Sequence, residues 1–331
     1  MKPGGIALLE VEDLCLSVTA GGKSCDAVAD LSFAIERGQI FGLVGESGCG
    51  KSITALALMG LLRRPLAWRS GKIRFKGQEI QALGPEAMRH LRGKHISMVF
   101  QEPMTALNPL ATVGRQIAEM FVLHEGMGWH EAEKAAVRAL AKVRVAAPDQ
   151  RVKDYPHQLS GGMRQRVVIA IALACKPELL LADEPTTALD VTVQAEILEL
   201  IHDLCAAQGT AVLLISHDLG VIAQSCERVA VMYAGRIVEE AGAQEVFQRP
   251  RHHYTRGLIS SLPLLGARAI NAANGRTKLQ EIRGMVPAVT DFPAGCSFHP
   301  RCGMATQACI DRAPGLTRLE GGASVRCHHH A

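Results

Sequence analysis

Eight consecutive residues, Gly45-Glu46-Ser47-Gly48-Cys49-Gly50-Lys51-Ser52, place three glycines, a lysine and a serine hydroxyl within one short turn. Gly, four residues, then Gly-Lys-Ser is the spacing of a phosphate-binding loop. Its glycines let successive backbone N–H groups turn inward as a nest for anions, and a helix opening directly behind adds favourable potential for negative charge. Lys51 can reach the β- and γ-phosphates of a nucleotide, and the Ser52 hydroxyl can ligate Mg²⁺. The surroundings suit this chemistry: the apolar run Ile40–Val44 leads in, and a helical pattern opens near Ile53. A Gly-rich turn that matches by chance would not bring strand, lysine and serine together in register.

A second element is Leu179-Leu180-Leu181-Ala182-Asp183-Glu184, a buried-looking strand that ends in two carboxylates. Alone, such an ending is usually a strand leaving the core. Paired with the loop it becomes a hydrolytic site: Asp183 would hold Mg²⁺ through water, and Glu184 would polarise the attacking water as general base. Gln101 and His217 also sit just past apolar runs. A lone histidine there is ordinarily a satisfied loop residue, but here four strand ends converge on the carboxyl edge of one sheet, where ligands of such folds bind. Gln101 and His217 are accordingly catalytic candidates beside Glu184, and Gln101 is also a third candidate for the Mg²⁺ site.

The elements that must position these groups follow an α/β rhythm. Residues 40–44, 96–100, 179–182, 211–215 and 229–233 are near-continuous apolar runs, as expected for parallel strands covered on both faces. Residues 117–123 and 131–143 show helical spacing with no strand between them, which predicts a helical insertion. Aromatics are 4 % of the chain, so the core must be aliphatic. The formal charge of +4 over 331 residues, with no dense basic run, gives no support to a nucleic-acid partner. No run of 18 apolar residues occurs, and Glu10, Glu12 and Asp13 stand where a signal peptide needs an apolar centre. The chain is therefore expected in the cytoplasm. After Tyr254 periodicity fades and Pro287, Pro293, Pro300 and Pro314 punctuate the sequence, predicting a small loop-rich appendage.

With Leu159-Ser160-Gly161-Gly162-Met163 added, the chain from about Leu9 to Gly242 resembles an ATP-binding cassette. A phosphate loop alone admits kinases, GTPases and helicases, whereas this segment is similar to the cassette signature. The resemblance implies a P-loop NTPase fold: a RecA-like parallel sheet core, an N-terminal antiparallel β part and a helical subdomain at about 103–165, together spanning 1–249. It also implies that Ser160, Gly161, Gly162 and Met163 cap the γ-phosphate held by a partner cassette, that Ala188-Leu189-Asp190 is the D-loop, Gln101 the Q-loop and His217 the switch histidine. Two departures stand out. Met163 replaces the family's usual Gln, and Val18 occupies the region where the family stacks adenine on an aromatic.

Residues 100–109 (Phe100-Gln101-Glu102-Pro103-Met104-Thr105-Ala106-Leu107-Asn108-Pro109), residues 182–192 and Arg251-His252-His253-Tyr254-Thr255 are similar to dipeptide, oligopeptide and nickel importer ATPases. That resemblance implies an ATPase powering peptide import, with nickel, opines or glutathione as other cargoes. Its partners would be a second, related ATPase, two membrane-spanning permeases and an extracytoplasmic solute-binding protein, at the cytoplasmic face of a bacterial inner membrane. A translation or repair cassette is the rival, but those carry two cassettes per chain or long coiled-coil insertions.

The 250–331 extension holds Cys296, Cys302, Cys309 and Cys327, separated by five, six and seventeen residues. Four thiolates suit a [4Fe–4S] cluster or structural zinc, and buried free thiols are the plain alternative. No CxxC knuckle is present. The spacing around Phe298-His299-Pro300-Arg301-Cys302 resembles the dipeptide-importer extension, which implies the iron–sulfur cluster. His328, His329 and His330 read as a solvated tail.

Overall fold

In chain order the strands are β1 (Leu9–Ala20), β2 (Lys23–Ile35), β3 (Ile40–Val44), β4 (Leu66–Phe75), β5 (Gln78–Glu79), β6 (Ile96–Val99), β7 (Leu179–Asp183), β8 (Ala211–Ser216), β9 (Arg228–Tyr233), β10 (Arg236–Gly242), β11 (Thr317–Arg318) and β12 (Ser324–Val325). They belong to a computed structural model that describes residues 7–186, 189–262 and 282–330. The expected five parallel strands are β6, β7, β8, β3 and β9, adjacent in that order. β6 ends one residue early, because Phe100 turns out toward solvent.

Their continuous apolar character has a simple cause. Side chains alternate between faces along a strand, and here each face meets its own core. Phe41 and Leu43, Leu179 and Leu181, Leu213 and Ile215, and Ala230 and Met232 face one core. Val44, Leu180 and Ala182, Val212 and Leu214, and Val229 and Val231 face the other. The first core is closed by the helix Lys51–Leu58 and a four-stranded antiparallel sheet of order β2-β1-β4-β5. The second lies beneath the helical insertion and the helix Val191–Gln208.

The insertion is built from the helices Val113–Glu125 and Trp129–Lys142. Thr112 caps the first by accepting the Arg115 amide at 3.3 Å, and Gly126 ends it in left-handed backbone at φ 68°. Ile117, Ala118, Ala132, Ala136 and Leu140 are fully buried between these helices and the body.

One ion cluster joins the antiparallel sheet to the parallel one. Glu178, just before β7, takes Lys76 at 2.8 Å and Arg37 at 3.2 Å, with His95 Nδ1 at 3.0 Å. Partial burial works to raise this carboxyl, but the hydrogen bonds from Lys76, His95 and Arg37 outweigh it and hold it down to about 2. A depressed carboxyl adds stability above its unfolded value of 4.5, and that stability is lost as pH falls toward 2. Glu178→Gln is expected to remove about 1 kcal/mol at neutral pH, a fall of roughly 2 °C in thermal midpoint. Melts of both proteins from pH 6 to pH 3 check it, since the gap must narrow as the solution becomes acidic.

Residues beyond 250 are tied into the same sheet. β12 pairs antiparallel with β10, and β11 with β12. The helix His253–Ser260 buries Tyr254, whose ring lies 4.6 Å from Tyr233 and 5.4 Å from Phe298. Glu239, buried in β10, accepts the amides of Arg251 at 2.7 Å and His252 at 2.8 Å, fixing where this helix begins.

Candidate active site

β3 delivers the chain into the loop Gly45–Ser52, and the helix Lys51–Leu58 leaves it. Two of the glycines are required. A Cβ on Gly45 would stand 2.2 Å from the Met232 carbonyl oxygen, and Gly50 caps the helix at φ 108°, backbone that L side chains rarely adopt. Lys51 is buried, and its ammonium donates across the loop to the carbonyls of Gly45 at 2.8 Å and Glu46 at 3.1 Å. Burial pushes the Cys49 thiol up, against the pull of Lys51. Ser47 and Gly48 complete the turn.

The strand-end residues lie close together. The Ser52 hydroxyl donates to Asp183 Oδ1 at 3.1 Å. Burial pushes the Asp183 carboxyl up, as does the Glu184 charge, while Ser52 and Lys51 pull it down. Hydroxyl and carboxylate together are the oxygen donor set that suits Mg²⁺. Glu184 is gripped on both oxygens: Gln101 Nε2 donates to Oε2 at 2.8 Å, and His217 Nδ1 lies 3.2 Å from Oε1. Gln101 thus meets Glu184 directly. Glu184 adopts left-handed backbone at φ 46°, and its amide donates to the Ile215 carbonyl at 2.9 Å. Such backbone costs a non-glycine residue about 1–3 kcal/mol and persists where the surroundings over-determine it. It turns this carboxylate out of β7 toward Gln101 and His217.

The signature stands on the insertion. Ser160 caps the helix Gly161–Leu173, its hydroxyl accepting the Met163 amide at 3.4 Å. That helix continues to Gln165, which donates to the Pro185 carbonyl next to Glu184. Gly162 packs close to Val193, and Asp190 caps the helix Val191–Gln208 by accepting the Val193 amide at 3.0 Å. Thr187 and Ala188 lie outside the described residues. Val18 is half-buried on β1 between Cys25 and Leu66.

Two residues missed by sequence reasoning touch the loop. The Glu46 amide donates to the Tyr254 hydroxyl at 2.9 Å, and Arg301 pairs with the Glu46 carboxylate. No local spacing signals such distant partners.

Cys296, Cys302, Cys309 and Cys327 line one small cavity with His252, His299 and His329. The Cys296 amide donates to the Cys309 carbonyl at 2.8 Å. Burial pushes the Cys296, Cys302 and Cys327 thiols up, and neighbouring thiols add to this. Burial also holds His252 down to about 3, so it is neutral, with Nδ1 accepting the Tyr254 amide at 3.0 Å. The thiols share a cavity and a suitable chemistry. Among the described residues, however, no three His, Cys, Asp or Glu side chains form a ready-made metal-binding group.

A parallel sheet presenting a phosphate loop, an Asp-Glu pair, a glutamine and a histidine at one edge defines a P-loop nucleoside-triphosphate hydrolase. A family model described as ABC transporter matches residues 28–187, and one described as oligopeptide/dipeptide transporter, C-terminal region, matches residues 238–309. The oligopeptide transport ATP-binding protein AppD of Bacillus subtilis is 44% identical, with 97% of this chain and 96% of that one covered. The dipeptide transport ATP-binding protein DppD of Escherichia coli is 43% identical, covering 98% of this chain and 97% of its own. Among solved structures, the cassette MJ0796, in a dimeric post-hydrolysis state bound to ADP and Pi, is similar at TM-score 0.64 and 26% identity, over 71% of this chain and 98% of that one. The chain belongs to the ATP-binding proteins of ABC transporters, and it is an ATPase.

Proposed function

We propose that this ATPase powers import of dipeptides or oligopeptides. The observation that carries the reading is the match of residues 238–309 to the oligopeptide/dipeptide transporter C-terminal region, since the cassette itself does not read cargo. Peptide-transport relatives aligned along nearly the whole chain support it. Among the described residues no helix is long and apolar enough to cross a membrane. In this reading two permease subunits span the membrane, and this chain lies peripherally at the cytoplasmic face of the inner membrane. A second, related ATPase would complete the pair, and a solute-binding protein would deliver cargo.

In the proposed cycle two cassettes close on ATP, each loop Gly45–Ser52 meeting the partner's Ser160-Gly161-Gly162-Met163. Lys51 and the loop amides receive the phosphates. Ser52 and Asp183, with Gln101 nearby, would hold Mg²⁺, which when bound neutralises charge on the β- and γ-phosphates. Glu184 takes a proton from the attacking water, oriented by Gln101 and His217. Asp190 stands at the same closing surface. The insertion at 103–165 carries closure to the permeases.

Uptake of a labelled dipeptide and of nickel, in cells lacking the chain and rescued with it, tests the cargo. Restored peptide uptake is expected; restored nickel uptake alone would transfer the reading to a metal importer, and labelled opines and glutathione extend the same comparison.

We further propose that Cys296, Cys302, Cys309 and Cys327 hold a [4Fe–4S] cluster within the extension 250–331. Closing four thiols spread over residues 296–327 around one centre would cross-link a segment with little regular structure. Anaerobically purified protein is expected to show broad visible absorbance and about four irons per chain. Stoichiometric zinc without that absorbance would replace the cluster with a structural zinc site.

A further inference from the structure

The second residue of the phosphate loop is a carboxylate, in a backbone arranged to attract anions. Left to itself, the Glu46 charge opposes every phosphate the loop receives. Its partner lies 255 residues further along the chain. Arg301 Nη1 donates to Glu46 Oε2 at 2.6 Å and Nη2 to Oε1 at 3.0 Å, the two-pronged geometry of a strong guanidinium–carboxylate pair.

Arg301 is itself held from several sides. Nε donates to the Arg283 carbonyl at 2.9 Å, Nη2 to the Gly284 carbonyl at 3.1 Å, and Nη1 to the Tyr233 hydroxyl at 3.4 Å. Its side chain is only 6% exposed. Glu46 is 28% exposed, so the pair is half-buried: a surface pair would be worth little, but breaking this one leaves the carboxylate without its partner. Here that stranded charge would be a carboxylate on the phosphate loop. The Glu46 amide is engaged separately, by the Tyr254 hydroxyl at 2.9 Å. Both of these grips on Glu46 come from residues after 250.

Arg301 also stands on the turn between two of the cavity thiols. The His299 amide donates to the Cys296 carbonyl at 2.9 Å, the Arg301 amide to the Phe298 carbonyl at 3.0 Å, and the Cys302 amide to the His299 carbonyl at 3.2 Å. The guanidinium therefore has one approach direction, set by the folded extension.

We propose that Arg301 is a positioning residue of the nucleotide site: it fixes Glu46 and cancels its charge, so that the C-terminal extension completes, within the same chain, the loop that receives ATP. The inference rests on the ATPase activity assigned above, and Glu184→Gln, which strikes hydrolysis without touching this pair, reports on that activity separately. It differs from a purely mechanical tie in what a second substitution does. If charge is the point, neutralising Glu46 must repair the loss of Arg301.

The test measures equilibrium MgATP binding, and KM and kcat for hydrolysis, on the full-length chain. Arg301→Gln is expected to weaken MgATP binding about tenfold, with KM rising more than kcat falls. The double variant Glu46→Gln/Arg301→Gln is expected to bind within about threefold of Glu46→Gln alone, because no stranded carboxylate remains. Wild-type affinity in Arg301→Gln overturns the proposal. So does a double variant as weak as Arg301→Gln when both melt like the wild type. If Arg301→Gln does not fold, Arg301→Lys decides: it keeps the charge but loses the fork, so binding within about threefold of wild type is expected, and a loss of about tenfold in a protein that melts like the wild type overturns the proposal.

Discussion

Replacing Glu184 with Gln is expected to reduce phosphate release at least about a hundredfold, in line with the contribution of a positioned general base, while MgATP binding persists. The amide keeps the size of the carboxylate and can still meet Gln101 and His217, which grip Glu184 at 2.8 Å and 3.2 Å. Only the capacity to accept a proton from water disappears. Single-turnover phosphate release beside equilibrium nucleotide binding separates the two effects. Hydrolysis near the wild-type rate would remove Glu184 as the base, and loss of binding would instead mean that the φ 46° backbone had collapsed.

Lys51→Ala is expected to act at the opposite step, weakening MgATP binding by about a hundredfold or more, as losses of buried, charge-assisted contacts do. Two terms add. The phosphates lose their fixed cation, and the loop loses the donor that ties the Gly45 and Glu46 carbonyls together. Titration of a fluorescent ATP analogue measures the loss. If affinity stayed within a few-fold of wild type, the glycine loop would bind through its backbone amides alone.

The nucleotide-binding half of this chemistry was legible because its signals are local. Glycine spacing, a strand before and a helix behind, and carboxylates at a strand end all survive in a linear reading. The parallel strands were legible because both faces are buried and each reads as an unbroken apolar run. The antiparallel sheet was not read from residues and entered only through the family resemblance. β1 carries Glu10, Glu12 and Asp13, its pairing with β2 and β4 shifts register, and Asp13 and Asp30 take left-handed backbone, so clean alternation is lost. The Arg301–Glu46 pair leaves no trace in spacing, since each residue by itself is an ordinary surface charge. Gln101 was expected both among the catalytic residues and among the Mg²⁺ ligands; only coordinates place its amide on Glu184. The four cysteines were visible as a group, and their shared cavity was not.

The pairing of β12 with β10 has a consequence for how the molecule is made. A sheet edge with free N–H and C=O groups is a template for another chain, and very short terminal strands blunt that hazard. β10 ends at Gly242, yet the strand that covers it begins at Ser324, and the two-residue β11 finishes the border. Translation runs from the N-terminus, so β10 is made with this border open and meets β12 only after the intervening extension has been made. A chain stopped before β12 would carry the loop Gly45–Ser52 on a sheet still able to recruit a neighbour, which makes premature termination here a source of aggregates rather than of a smaller working ATPase.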